Sequence, residues 1–175
     1  MRKPDTKIAI VCYSKSGHSR RAAELLAGLL DADLHQLKTS RYRTPFLGYL
    51  RAGLDSLRLA KPSLAHPLPD LKCYDALVIC GPIWTSYPAA PLRSYFQQVQ
   101  HLPATLGLLL TCGDHSPPEK AYALAEQELG RPLTAKAAIA NDREMTTEER
   151  RILGDFADKL RKVTEQKMMS PLISQ

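Results

Sequence analysis

Residues 8–19, Ile-Ala-Ile-Val-Cys-Tyr-Ser-Lys-Ser-Gly-His-Ser, limit the folds open to this chain more than any other stretch. An apolar run, Ile8 to Cys12, stops at a loop that carries Ser14, Ser16, Gly17 and Ser19. A helical pattern follows at once, with Ala22, Ala23, Leu25, Leu26, Leu29 and Leu30 at spacings of three and four. Strand, hydroxyl loop and helix in immediate succession make an anion site. The first N–H groups of a helix have no internal partner, the helix dipole adds positive charge there, and serine hydroxyls can donate beside them. Gly17 lets the backbone turn sharply and approach a ligand closely. The segment 14–19, with Lys15 and His18 inside it, is therefore read as a phosphate loop.

Other phosphate loops do not fit. The chain has no Gly-x-Gly-x-x-Gly and no Gly-x-x-x-x-Gly-Lys-Ser/Thr, which removes the dinucleotide and NTPase fingerprints. A cysteine-phosphatase loop, by resemblance to that family, needs an arginine six residues after its nucleophile. Six residues past Cys12, Cys80 and Cys112 stand His18, Ser86 and Pro118.

Apolar and helical patterns alternate along the remaining chain. Strands are expected near 7–13, 33–38, 75–81, 105–112 and 133–140, and helices near 18–30, 46–59, 89–100, 117–129 and 147–165. Continuous apolar runs such as Ala76 to Cys80 and Leu106 to Leu110 suit parallel strands covered on both faces. Ser116-x-x-Glu119 with Pro117, and Thr146-x-x-Glu149, read as capping boxes for the last two helices, and Gly130 reads as a helix end. The alternation implies an α/β, three-layer doubly wound parallel sheet. At 175 residues the expectation is one domain over 1–165 and a loose tail over 166–175.

Residues 74–96 carry a second informative segment, Tyr-Asp-Ala-Leu-Val-Ile-Cys-Gly-Pro-Ile-Trp-Thr-Ser-Tyr-Pro-Ala-Ala-Pro-Leu-Arg-Ser-Tyr-Phe. Together with Ser14-x-Ser16-Gly17-x-Ser19 it resembles the flavodoxin-like FMN-binding family, which includes flavodoxins and small NAD(P)H-dependent FMN reductases. The resemblance covers about residues 6–163 and implies five strands in the order 2-1-3-4-5. It also implies three ligand loops at the strands' carboxyl ends, where the sheet reverses direction. Ser14, Lys15, Ser16, Gly17, His18 and Ser19 would take the FMN phosphate. Pro82, Ile83, Trp84, Thr85, Ser86 and Tyr87 would cover the flavin ring, and Cys112, Gly113, Asp114 and His115 would face its polar edge. The flavin carries the chemistry, so no catalytic side chain is assigned, and no metal site is expected because the five histidines show no ligand spacing.

The resemblance implies an oxidoreductase that moves electrons from NAD(P)H through FMN to a quinone or other small acceptor. Its alternatives are a flavodoxin-type carrier serving redox partner proteins, or a flavin-free interaction domain. A small-molecule acceptor or a redox partner protein is the expected partner, with a homodimer left open. Two departures favour the enzyme. Ser86 stands where related proteins commonly have a glycine whose peptide flips to stabilise the one-electron-reduced flavin, and a serine is expected to resist the positive φ of that flip. Carrier flavodoxins are also usually acidic, whereas this chain has a net charge of +6.

That charge is uneven. Residues 1–72 hold 13 lysines and arginines against 6 acids, a net of +7, while residues 73–175 net −1. A nucleic-acid partner is not expected, because no basic run is interleaved with aromatics. No apolar stretch is long enough to span a membrane, and no leader pattern opens the chain. Four cysteines without a Cys-x-x-Cys pair suit a reducing, cytoplasmic setting. Between 46 and 60 the pattern puts Phe46, Leu50, Leu54 and Leu57 on one helix face and Arg51, Asp55 and Arg58 on another. The first reading is a crossover helix that covers the sheet with its leucines; a membrane-surface helix is the second.

Overall fold

The five expected strands form and run parallel, so the chain can join them only through crossovers, here helical. The computed structural model of the protein describes residues 6–42, 44–113 and 117–169. Its strands are β1 (Ile8–Cys12), β2 (Asp33–Gln36), β3 (Ala76–Trp84), β4 (Tyr87–Pro88), β5 (Thr105–Cys112) and β6 (Ala135–Ala140). The helices are α1 (His18–Leu30), α2 (Pro45–Leu57), α3 (Ala90–Gln98), α4 (Glu119–Leu129) and α5 (Thr147–Met169), with a short 3-10 turn at Asn141–Arg143. The sheet order is β2-β1-β3-β5-β6, all parallel, with β4 folded back antiparallel on β3. Leaving aside that two-residue strand, this is the expected 2-1-3-4-5 order of a flavodoxin-like fold.

Alternation along the strands divides the core between the two faces. Ile8, Ile10 and Cys12 of β1 and Val78 and Cys80 of β3 pack with α1 and α5. Ala9, Val11, Leu77 and Ile79 pack on the other face with α3, α4 and Ala52 of α2. Gly107 of β5 is a required close approach: a Cβ there would lie 2.8 Å from Phe156 Cζ, so α5 could not keep its distance from the sheet.

Several boundaries differ from the sequence reading for identifiable reasons. β3 runs three residues past its expected end, because Gly81 and Pro82 continue the pairing with β5 and Ile83 and Trp84 pair with β4. Residues 82–84 are thus strand, not loop. The helix α4 begins at Glu119 rather than at 117, with Pro118 as a cap that makes no side-chain bond. The residue before a proline is pushed out of helical geometry, so Pro117-Pro118 delays the start. Ser116 lies outside the described residues. Half of the box at α5 forms: Thr146 Oγ1 accepts from Glu149 N at 3.3 Å, but Glu149 Oε2 accepts from Met145 N at 2.8 Å rather than from Thr146 N. That helix continues to Met169, past the expected end at 165, and residues 170–175 lie outside the described residues.

The largest correction concerns α2. Its leucine face points outward: Phe46, Leu47, Leu50, Leu54 and Leu57 are 52–76% exposed. Gly48, Ala52, Asp55 and Ser56 face inward instead. The cause is a polar staple. Arg41 grips Asp55 with two bonds, Nε to Oδ2 at 2.5 Å and Nη2 to Oδ1 at 2.9 Å, and Tyr42 Oη donates to Oδ2 at 2.6 Å. Arg93, fully buried on α3, donates to the carbonyls of Asp55 (2.9 Å), Ser56 (3.2 Å) and Ala60 (3.2 Å). Turning the leucines inward would break this set and leave the Arg93 guanidinium buried without partners, which is the costlier arrangement locally.

Candidate functional site

The site lies where β1 and β3 meet, because connections leave those strands to opposite sides and open a crevice beyond their carboxyl ends. Ser14 Oγ accepts from Gly17 N at 3.1 Å and closes the loop on itself. Gly17 caps α1 at φ 103°, a conformation L side chains rarely adopt, and nothing stands within 4 Å of where a Cβ would be. The cap makes no side-chain bond and the first turn holds no acid, so the first N–H groups of α1 open onto the crevice. A cleft of about 330 Å³ lies against them, lined among others by Ser14, Lys15, Ser16, Gly17 and Arg20.

The loop's other side chains divide by direction. Ser16 and Gly17 are exposed, and Ser14 and Lys15 are half-buried. Ser19 is turned into the core, its Oγ 2.6 Å from Thr111 Oγ1, so it braces α1 against β5. Its carbonyl accepts from the Cys12 and Cys80 thiols at 3.5 and 3.4 Å. The adjoining Cys12 side chain, then burial, push the Cys80 thiol well above its ordinary pKa and keep it protonated. His18 Nδ1 lies 2.6 Å from Glu144 Oε1, and Arg21 pairs with Glu144 and Glu149. Both arginines of the first turn are held by carboxylates, Arg21 by this pair and Arg20 by Glu24 at 2.7 Å. Lys15 Nζ donates to Tyr42 O at 2.9 Å and sits 4.3 Å above the Tyr49 ring.

The second segment is a hairpin. Trp84 pairs with Tyr87 and Ile83 with Pro88, leaving Thr85 and Ser86 as a two-residue turn. Both have positive φ, 45° and 70°, as the turns that match strand twist require. Ser86 therefore already occupies the region it was expected to resist, and does so under strain. The strain is held by hydrogen bonds from α2: Thr85 Oγ1 donates to Ser56 Oγ, and Ser56 Oγ donates to Trp84 O, each at 2.5 Å. The half-buried indole of Trp84 stands edge-on to Tyr13 (5.9 Å) and Tyr42 (5.3 Å). Ile83 is buried, Pro82, Ser86 and Tyr87 are half-buried, and Thr85 is exposed at the tip.

In the third segment Cys112 is buried and Gly113 exposed, with open space where its Cβ would be. Asp114 and His115 lie outside the described residues. Burial pushes the Cys112 thiol above its ordinary pKa; it also raises the Tyr13 phenol, to about 12.

Tyr13, Tyr42, Ser56, Asp55 and Arg93 support the hairpin and were not identified from sequence. One signal was present: Asp55 is the only acid between residues 34 and 69, among six lysines and arginines.

No protein-family model matches the chain, and no curated protein sequence matches it. Solved structures with the same architecture do. A flavoprotein from Lactobacillus acidophilus, solved in complex with FMN, is 21% identical over 79% of this chain and 95% of its own, with a TM-score of 0.63. A candidate flavoprotein from Bacteroides uniformis is 18% identical over 87% of this chain and 98% of its own, at 0.72. A short-chain flavodoxin associated with a PDU bacterial microcompartment is 13% identical over 91% and 99%, at 0.54. The fold is flavodoxin-like. Identities this low carry the fold alone.

Proposed function

We propose that the chain binds FMN and is an oxidoreductase moving electrons from NAD(P)H to a quinone or other small acceptor. The observation that carries this reading is the start of α1: an uncapped helix N-terminus with Gly17 at φ 103°, opening on a hydroxyl-lined cleft. The residues fit the group. Ser16 and the first N–H groups of α1 would hold its phosphate, with Ser14 fixing the loop and Lys15 and Arg20 adding positive charge. Trp84 and Tyr87 would shield the ring, and backbone around Gly113 would meet its polar edge. When bound, FMN supplies hydride and electron chemistry. The chain's part is to orient it, exclude water through the hairpin, and hold that hairpin in place through Ser56. The Lactobacillus acidophilus neighbour in complex with FMN supports the assignment.

A flavodoxin-type carrier is the second reading, supported by the short-chain flavodoxin among the neighbours. Titration of the stripped protein with FMN and with riboflavin tests the common ground: FMN is expected to bind more tightly, and equal affinities would remove the phosphate site. Steady-state NAD(P)H oxidation, with and without a quinone, then separates enzyme from carrier.

A further inference from the structure

Among the described residues the outward face of α2 has no partner. Phe46, Leu47, Leu50, Leu54 and Leu57 form one stripe along a helix of 13 residues, roughly 20 Å long. Arg51 and Arg58 border that stripe along one side, about 20–40° round the helix from Leu47 and about 100–140° from Phe46 and Leu57. Their side chains form no hydrogen bond or ion pair among the described residues. The one acid of the helix, Asp55, is buried on the opposite face. Residues 34–69 hold six basic residues and one acid in sequence; Arg41 is spent on Asp55 and Lys61 on Glu128, which leaves Arg51 and Arg58, among the described residues, as the free charge beside the stripe.

We propose that α2 is a docking face for an anionic lipid surface, lying in the interface with its leucine stripe among the acyl chains and its arginines at the headgroups. Charge decides among the occupants. A second copy would place the same patch against itself, as a two-fold interface requires, and bring two strongly basic segments together. A folded protein partner would have to set a matching apolar patch on the leucines and acids in register with Arg51 and Arg58, a fit that a bilayer does not require. An anionic bilayer supplies both an apolar medium without register and the opposite charge.

The position of α2 gives the docking a use. Ser56 bonds the Trp84–Ser86 turn, and Tyr49 covers Lys15 of the phosphate loop, so the helix borders the proposed flavin crevice. Resting on the FMN reading above, an acceptor dissolved in the bilayer, a lipid-soluble quinone, would reach the site from the membrane side.

The test is flotation of the full-length protein with vesicles of 70% phosphatidylcholine and 30% phosphatidylglycerol, and with phosphatidylcholine alone. It needs no flavin, so it can fail or succeed independently of the FMN assignment. The protein is expected to float with the mixed vesicles and far less with the neutral ones. Arg51→Gln and Arg58→Gln should each weaken binding about fivefold. Leu50→Gln with Leu57→Gln should abolish flotation while thermal melts stay close to the parent. No flotation with mixed vesicles would overturn the proposal. So would flotation that ignores the leucine pair, which would mean charge alone, or a concentration-dependent dimer that the same leucine substitutions dissolve. Binding to an acidic protein in preference to the mixed vesicles would also overturn it.

Discussion

The helices α1 and α2 are both 13 residues long, both follow a loop at the carboxyl edge of the sheet, and both read as amphipathic. They dock by opposite rules. The first buries Ala22, Ala23, Leu26 and Leu30 and leaves its N-terminus open. The second turns its large apolar residues out and holds to the body by Asp55, Ser56 and small side chains. Periodicity identifies a helix in each case, but it identifies the buried face only where no polar set competes. In α2 a carboxylate with two bonds from Arg41 and one from Tyr42, beside an Arg93 spending its donors on three carbonyls, outweighs the local gain from leucine burial.

The sharpest way to break this contrast is Arg93→Ala. It strips a buried guanidinium from three carbonyl groups and should cost about 3–5 kcal/mol in denaturant unfolding. A loss below about 1 kcal/mol would mean that the staple does not hold α2. The corresponding attack on α1 is through its ligand: Ser16→Ala should weaken FMN roughly 10- to 150-fold, about 1.5–3 kcal/mol, with the unfolding midpoint of the stripped protein unchanged. Equal binding by variant and parent would place the phosphate elsewhere.

Asp55→Asn is a milder test, expected to cost about 1–2 kcal/mol at neutral pH because Arg41 is half-exposed. The pH dependence has a definite sign. The Arg41 bond lowers the Asp55 pKa below its ordinary value of 3.8, so its contribution is complete above that value and is lost as pH falls below it. The variant should show a flatter acid limb, and an unchanged limb would contradict the bond. Ser86→Gly is the smallest effect. Relief of positive φ, about 1–2 kcal/mol, is offset by about 0.4–1 kcal/mol of added freedom in the unfolded chain, leaving a gain of about 1 kcal/mol or less. Destabilisation on thermal melting would mean that Ser86 contributes something other than strain.

The sheet was legible because Ile8–Cys12, Ala76–Cys80 and Leu106–Leu110 can be buried on both faces only in a parallel arrangement. The bend at Gly17 was legible because glycine after serines has a local cause. The hairpin at Thr85-Ser86 was not, since neither residue signals positive φ; the turn is held by Ser56, 29 residues away in sequence. The Ser19 hydroxyl was read toward the ligand, whereas Thr111, on a strand 92 residues later, draws it inward. Long-range partners of this kind leave no trace in local spacing.

The small inward face of α2 also sets how the molecule breathes. Gly48 sits so close to the loop before it that a Cβ would lie 2.7 Å from Tyr42 O, yet among the described side chains of the helix Ala52 is the one apolar group buried in the core. Detaching α2 would expose little oil-like surface and break a few hydrogen bonds, while detaching α1 would uncover the centre of the sheet. Amide protons in α2 should therefore exchange with solvent by local opening, at a lower free energy than those of α1, and acid that protonates Asp55 should lower it further. The hairpin turn that leans on Ser56 would loosen with it, so fluctuations of one surface helix are transmitted to the rim of the crevice.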